Sequence, residues 1–155
     1  QLTYAQTPAI AYAGMMAEPF SLRQMDSFLS EDAIIGGAAV ERGTEAEQML
    51  NLTTAADVYG VTVSSYSNVE VPAGGSIAYA AKEQISVMEK GRIWVISGGA
   101  VAIDAEVTPG TGASSGKWSS GANLLGKNRA IARSAAAAVD ELLLIELLGP
   151  QGAVA

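Results

Sequence analysis

The chain has 155 residues and a net charge of −7, from 16 acidic and 9 basic side chains, and it contains neither histidine nor cysteine. These absences exclude thiol nucleophiles, disulfides, histidine-based triads and the zinc or haem sites that use such ligands, and the acidity argues against direct nucleic-acid binding because it repels phosphate. With 49% hydrophobic and 16% charged residues, the composition indicates an apolar surface that meets a partner.

The first 32 residues are predicted to form an N-terminal arm or surface segment, ahead of a single β domain at residues 33–155. The start of the chain has no basic region followed by a continuous apolar run, so we expect no secretory signal there. The apolar side chains of the arm either pack on the domain's own core or contact a partner. These side chains are Phe20, Leu22, Met25, Phe28 and Leu29.

Short β-rich segments follow the arm, separated by turn residues. Apolar and β-branched residues bounded by glycine, proline and charged residues predict strands. Residues 72–75, Pro-Ala-Gly-Gly, predict a connection between two of them. The predicted strands lie within residues 33–40, 48–52, 57–63 and 76–80.

Residues 84–107 are predicted to form a three-stranded meander with two turns. The first turn is a short Glu-Lys-Gly hairpin loop at 89–91. The second turn lies at 97–99, where glycine tolerates a positive φ, and it leads into a third strand at 101–107. Apolar residues alternate along the first two strands and are predicted to form the scaffold core: Ile85, Val87, Ile93 and Val95.

Two patterns resemble sites of chemistry without completing one. Segment 110–117 is similar to a phosphate-binding loop, but Thr111 replaces a required glycine and Trp118 replaces the magnesium-binding hydroxyl. Asp104 and Glu106 on one strand face would lie about 7 Å apart, as in some glycosidases, yet acidic residues that alternate with apolar ones are typical of a solvent-facing strand. We therefore expect no enzyme, no catalytic residue, no cofactor and no metal site.

Intrinsic preference and context disagree over residues 130–148. Alanine, leucine and glutamate favour a helix there, whereas short strands need partners and residues 141–147 also fit a strand buried on both faces. The apolar run 135–148 is broken by acidic residues and is shorter than the ~20 residues of a membrane-spanning helix. No membrane is expected as a partner.

The order of these segments resembles that of the structural cement, or decoration, proteins of tailed-bacteriophage capsids. The resemblance spans residues 33–148 and is carried by IIGGAAV, VYGVTV, a tyrosine-bearing strand at Tyr79, ISVMEKGRIWV, a glycine turn, a Gly/Ser loop and a final apolar strand. It implies a mainly β fold, a small antiparallel β-barrel or β-sandwich with an extended N-terminal arm and at most short helices. It also implies a strand near the C-terminus that places Leu142 and Leu144 in the scaffold core.

The resemblance implies a non-enzymatic virion protein on the capsid exterior, which bridges adjacent capsomers and stabilises the expanded shell. Its partners would be the major capsid protein and other copies of itself, as a homotrimer, with the apolar residues of the arm as candidate contacts. Synthesis would take place in the cytoplasm of the bacterial host. Two alternatives stay open: another virion component, such as a head-fibre base or tail-associated trimer, and a ligand- or carbohydrate-binding module that uses Asp104 and Glu106.

Overall fold

The computed structural model describes residues 11–17, 24–64, 78–121 and 128–150. Within these residues the helical elements are two 3₁₀ turns, Ala55–Asp57 and Gly112–Ser114, and neither is long and apolar enough to cross a membrane. The strands are β1 (Gln24–Ser30), β2 (Ile34–Ile35), β3 (Ala39–Arg42), β4 (Gln48–Asn51), β5 (Gly60–Val63), β6 (Ala78–Tyr79), β7 (Gln84–Ser97), β8 (Glu106–Pro109), β9 (Lys117–Ser120), β10 (Asn128–Ala132) and β11 (Leu142–Pro150).

Nine of these strands form one sheet that closes into two rings, while β2 and β6 pair separately. The first ring contains β7, β1, β4, β3 and β5 in order of pairing, and the second contains β7, β11, β10, β8 and β9. Both rings therefore share β7. The pairs β1–β4 and β7–β9 are parallel, and the others in the rings are antiparallel. The expected mainly β fold is confirmed, and of the predicted barrel or sandwich the sheet takes the closed, barrel-like form.

Strand β7 is 14 residues long and continues through the predicted hairpin loop at 89–91. Lys90 pairs with Gln24 of β1 and with Leu148 of β11. Gly91, at a φ of 131°, still pairs with β11. The meander prediction is wrong because the two halves of β7 pair with strands from distant parts of the chain, and these ladders keep the backbone extended.

Two clusters of buried side chains fill the rings. The smaller cluster lies in the first ring and includes Ile85 and Val87 of β7. The larger cluster includes Ile93 and Val95 of β7, and it extends from the second ring to β3 and β5. All four side chains are at most 1% exposed. Burial of apolar area stabilises the folded state by roughly 25 cal/mol per Å². Strand β7 contributes buried side chains to both clusters and therefore stabilises both.

Strand β11 differs by one residue from the predicted pattern of burial. Leu143 and Ile145 are fully buried, whereas Leu142 and Leu144 are only half-buried. Side chains alternate between the two faces of a strand, so both half-buried leucines lie on the face that carries Glu146. The prediction of Leu142 and Leu144 as scaffold core is therefore wrong by one position.

Residues 130–148 do not form the helix that their intrinsic preference favours. They contribute most of β10 and β11, joined by an irregular segment in which Ala136 forms a bridge with Val101. Strand β10 pairs with β8 and β11, and β11 pairs with β7. Helix preferences differ by less than about 1 kcal/mol per residue among ordinary residues, and these long-range ladders outweigh them.

The described part of the predicted arm belongs to the sheet. Strand β1 pairs with β7 along most of its length and with β4 at its end, and Met16 forms a bridge with Ile93. No break separates residues 24–32 from the strands that follow. The prediction of a separate arm is therefore wrong for these residues, while residues 1–10 and 18–23 lie outside the described part of the chain.

Candidate interaction surface

The two carboxylates that sequence reasoning considered as a catalytic pair lie on different elements. Asp104 is in a turn with a φ of 61°, and Glu106 begins β8. Arg133 Nη1 donates to Asp104 Oδ1 at 2.9 Å, and Arg129 Nε donates to Glu106 Oε1 at 2.9 Å. The predicted strand geometry is wrong for Asp104, and each carboxylate is held by its own arginine instead of facing a common substrate position.

Arg133 connects two carboxylates of the second ring. Its Nε donates to Glu146 Oε2 at 2.6 Å, and its Nη1 donates to Asp104. These hydrogen bonds hold the pKa of the Glu146 carboxyl below its usual range and raise the pKa of the Arg133 guanidinium. In the part of the chain that the structure describes, no group of three or more acidic side chains is placed to hold a metal ion.

The apolar residues predicted as contacts have different surroundings. Phe28 is buried in the first ring, and its side chain packs nearly perpendicular to that of Tyr59, with ring centroids 5.5 Å apart. Met25 is partly buried against the larger cluster, whereas Leu29 is 44% exposed. Phe20 and Leu22 lie outside the described residues. Phe28 therefore serves the protein's own core, and Leu29 is available at the surface.

A buried carboxylate lies close to the middle of β7. Glu89 is 3% exposed, and it accepts hydrogen bonds from Tyr59 Oη at 2.6 Å and from Gln24 Nε2 at 3.0 Å. Burial raises the pKa of the Glu89 carboxyl, and burial together with the neighbouring carboxylate raises the pKa of Tyr59 to about 12. The Arg42 guanidinium lies over the rings of Tyr59 and Phe28, at 4.4 and 5.0 Å. The cluster ties β1 and β3 to β7.

Two side-chain N–H donors of the second ring form hydrogen bonds to backbone oxygens of the first. The amide Nδ2 of Asn128 donates to the backbone oxygens of Tyr59 and Glu89, at 3.0 and 2.6 Å. The indole Nε1 of Trp118 donates to the oxygen of Gly37 at 3.2 Å. The bonds to Glu89 and Gly37 are buried, and together the three bonds help to fix the orientation of one ring on the other.

An exposed apolar surface, which sequence reasoning missed, lies at one end of the second ring. Val101 and Ala136 exchange both backbone hydrogen bonds, at 2.9 Å each, and their side chains are buried. Their sequence neighbours point outward, because side chains alternate. Ile103 is 61% and Val139 51% exposed. We define the apolar face as Ala100, Ala102, Ile103, Ala135, Ala137 and Val139, all of which are exposed.

Charge is distributed unequally between the two rings. Residues 24–64 and 78–90, which build the first ring and the first half of β7, carry nine acidic and three basic side chains, a net charge of −6. Residues 91–121 and 128–150, which build the second ring, carry five acidic and four basic side chains, a net charge of −1. The apolar face therefore lies on the nearly neutral half of the protein.

The chain, with its β scaffold, apolar face and paired charges, is similar to a known protein family. A family model described as structural cement protein (E217 gp24/Pam3 gp6) matches residues 1–148. The chain belongs to this structural cement protein family. Membership makes it a phage structural protein that stabilises the capsid. No curated protein matches the chain closely enough to add a relative.

Proposed function

We propose that this cement protein binds the outer surface of the capsid and bridges adjacent capsomers, which stabilises the expanded shell. The observation that carries the proposal is the family match over residues 1–148. The two rings support it, because strands paired on both sides form a rigid body that can keep several contacts at fixed positions. The arginine–carboxylate pairs described above also favour a structural role over a catalytic one.

Bridging requires that each copy engages more than one partner. The major capsid protein supplies these partners, and a homotrimer supplies three equivalent contact surfaces around one axis. A single standard contact buries about 800 Å² per partner. Once one contact has formed, the others form at a high effective concentration, so the trimer dissociates far more slowly than one subunit would.

The predicted contacts of the arm remain part of this proposal with one change. Leu29 is exposed and Met25 partly so, and Phe20 and Leu22 stay candidates for contacts with the capsid or with a neighbouring subunit. Phe28 is withdrawn because it is buried in the first ring. The assembled protein would lie on the exterior of a capsid whose components are made in the bacterial cytoplasm.

Binding to matched precursor and expanded shells tests the proposal. Cement-free shells of the parent phage would be incubated with the purified protein and separated by sedimentation. We expect binding to expanded shells, and a higher temperature of shell disruption after binding, because the bridged site forms only when neighbouring capsomers reach their final spacing. Equal binding to precursor shells would contradict bridging, and no binding to either would contradict a capsid role.

The same preparation separates the remaining alternatives. Sedimentation equilibrium of the free protein should give three times the mass of one chain, and a monomer would contradict a trimer in solution. Electron microscopy of labelled particles should place the label over the shell. A label at the tail or at head fibres would favour another virion component instead.

A further inference from the structure

The apolar face groups exposed apolar side chains from two adjacent segments of the chain. Two of the three large hydrophobic side chains that are exposed in the described residues, Ile103 and Val139, lie at its two ends. Between them the Val101–Ala136 bridge presents Ala100 opposite Ala137 and Ala102 opposite Ala135. The methyl groups of alanine leave this surface flat, so the backbone of a partner can approach closely.

The rim of the apolar face carries two ion pairs, Arg133–Asp104 and Lys117–Asp140. The side chains of Asp104 and Asp140 are 68% and 66% exposed, whereas their partners Arg133 and Lys117 are 33% and 40% exposed. The carboxylate is therefore the more exposed partner in both ion pairs. A partner with Lys or Arg residues around an apolar centre would complement this arrangement, whereas the same rim on a second copy, docked face to face, would repel it.

The apolar face contains six residues, whereas a stable pair of proteins typically buries roughly 20–30 residues on each side. Two free copies would therefore be held weakly through this face alone. On a shell, the same contact is made several times by one oligomer and becomes strong through avidity.

We propose that the apolar face docks on the outer surface of the capsid, at a contact patch that is apolar in its centre and basic at its rim. The inference rests on the proposed function and names the surface that performs it.

Arginine in the centre of the apolar face tests the proposal. Ala137→Arg and Ala102→Arg should each weaken binding to expanded, cement-free shells by about tenfold or more, because each places a charge in the apolar contact. The matched control is Ala113→Arg, an exposed alanine in the 3₁₀ turn Gly112–Ser114 of the same ring. Circular dichroism and sedimentation equilibrium show whether each variant keeps its fold and its mass in solution.

Neutralising the rim is a second, independent arm of the experiment. Asp104→Asn with Asp140→Asn removes two negative charges while keeping a residue type that tolerates the φ values of 61° and 66°. We expect binding to weaken about two- to fivefold, chiefly through slower association. The control Glu45→Gln removes one negative charge from an exposed position of the first ring and should leave shell binding unchanged.

The outcomes separate this inference from the proposed function. Failure of the unaltered protein to bind shells would overturn the proposed function. Unaltered binding by both arginine variants, with the unaltered protein still bound, would overturn only the assignment of the apolar face. If the arginine variants dissociate an oligomer of the free protein, the occupant is a second copy and the assignment to the capsid is wrong.

Discussion

At the scale of single residues, Glu89 shows how this fold accommodates a charge near its centre. Its carboxylate is buried and accepts hydrogen bonds from Tyr59 and Gln24. Asp26 and Arg42 are the other charged groups that act on it from β1 and β3. Burial is the largest effect, and it makes the ionised form less favourable in the folded protein than in the unfolded chain.

The raised pKa of Glu89 predicts a pH-dependent contribution to stability. The free energy of unfolding is lowered progressively as pH rises from about 4.5, the usual value, through the higher pKa of the folded state. Glu89→Gln cannot ionise, so its stability relative to the unaltered protein should increase over this range and then become constant. Urea unfolding at a series of pH values measures the difference.

Glu45→Gln, at an exposed position of the same ring, controls for the loss of one negative charge. A stability difference for Glu89→Gln that does not change between pH 4 and pH 7 would contradict the conclusion that burial penalises this carboxylate. The fixed hydrogen bond from Tyr59 accounts for a constant offset, so only the change with pH is diagnostic.

At the scale of elements, the pattern of burial along β11 decides which leucines support the core. Leu143 is 0% exposed, and Leu144 lies half-buried on the opposite face of the same strand. Their neighbours in β7 differ accordingly, because Leu143 pairs with the buried Val95 and Leu144 with the half-buried Trp94. Adjacent residues of one type thus have different environments.

Leu143→Ala and Leu144→Ala form a matched pair that tests this pattern. We expect Leu143→Ala to lower the free energy of unfolding by about 2–5 kcal/mol, since it leaves a cavity in the larger cluster. Leu144→Ala should cost about 1 kcal/mol or less, because half-buried positions lose little packing. Denaturant unfolding with equal m-values measures both, and equal costs would contradict the observed register.

The strands that sequence reasoning predicted correctly are those whose patterns are local. The segments around β3, β4, β5 and β6 carry β-branched or apolar residues between turn residues, and each contains a strand. Strand β11 was placed correctly along the chain. Because almost every position in it is apolar, the sequence did not show which alternate residues face the core. Glu146 was the available signal, because an acidic residue on the outer face assigns Leu143 and Ile145 to the inner one.

The parts that could not be predicted depend on partners far away in the chain. Glu-Lys-Gly at 89–91 has the local chemistry of a turn, yet Lys90 is held between Gln24 and Leu148. The apolar face was hidden for a similar reason. Its alanines at 135 and 137 favour a helix, and only the bridge between Ala136 and Val101 exposes them side by side.

At the scale of the whole molecule, the two rings share both a strand and a core. The larger cluster contains side chains of β3 and β5 together with those of the second ring. Trp118 and Asn128 add hydrogen bonds from the second ring to the first. Neither ring keeps its buried surface if the other unfolds, so the protein should unfold in a single cooperative step.

Ile85→Ala tests this cooperativity, because it alters only the cluster inside the first ring. Both tryptophans of the chain, Trp94 and Trp118, lie in the second ring. We expect the unfolding transitions measured by their fluorescence and by circular dichroism to move together to lower urea concentration, because the substitution lowers the free energy of unfolding by about 2–5 kcal/mol. Ile103→Ala, at a 61% exposed isoleucine, should shift neither signal. An unchanged tryptophan transition in Ile85→Ala would show that the rings unfold separately.

The continuity of β7 also determines how the protein responds to mechanical load. A force that pulled the two rings apart would act along the covalent backbone of this strand. Its ladders with β1 and β11 run nearly end to end along it, so their hydrogen bonds are sheared together instead of being opened one after another. A turn at residues 89–91 would have provided a hinge, and the extended strand provides a tether.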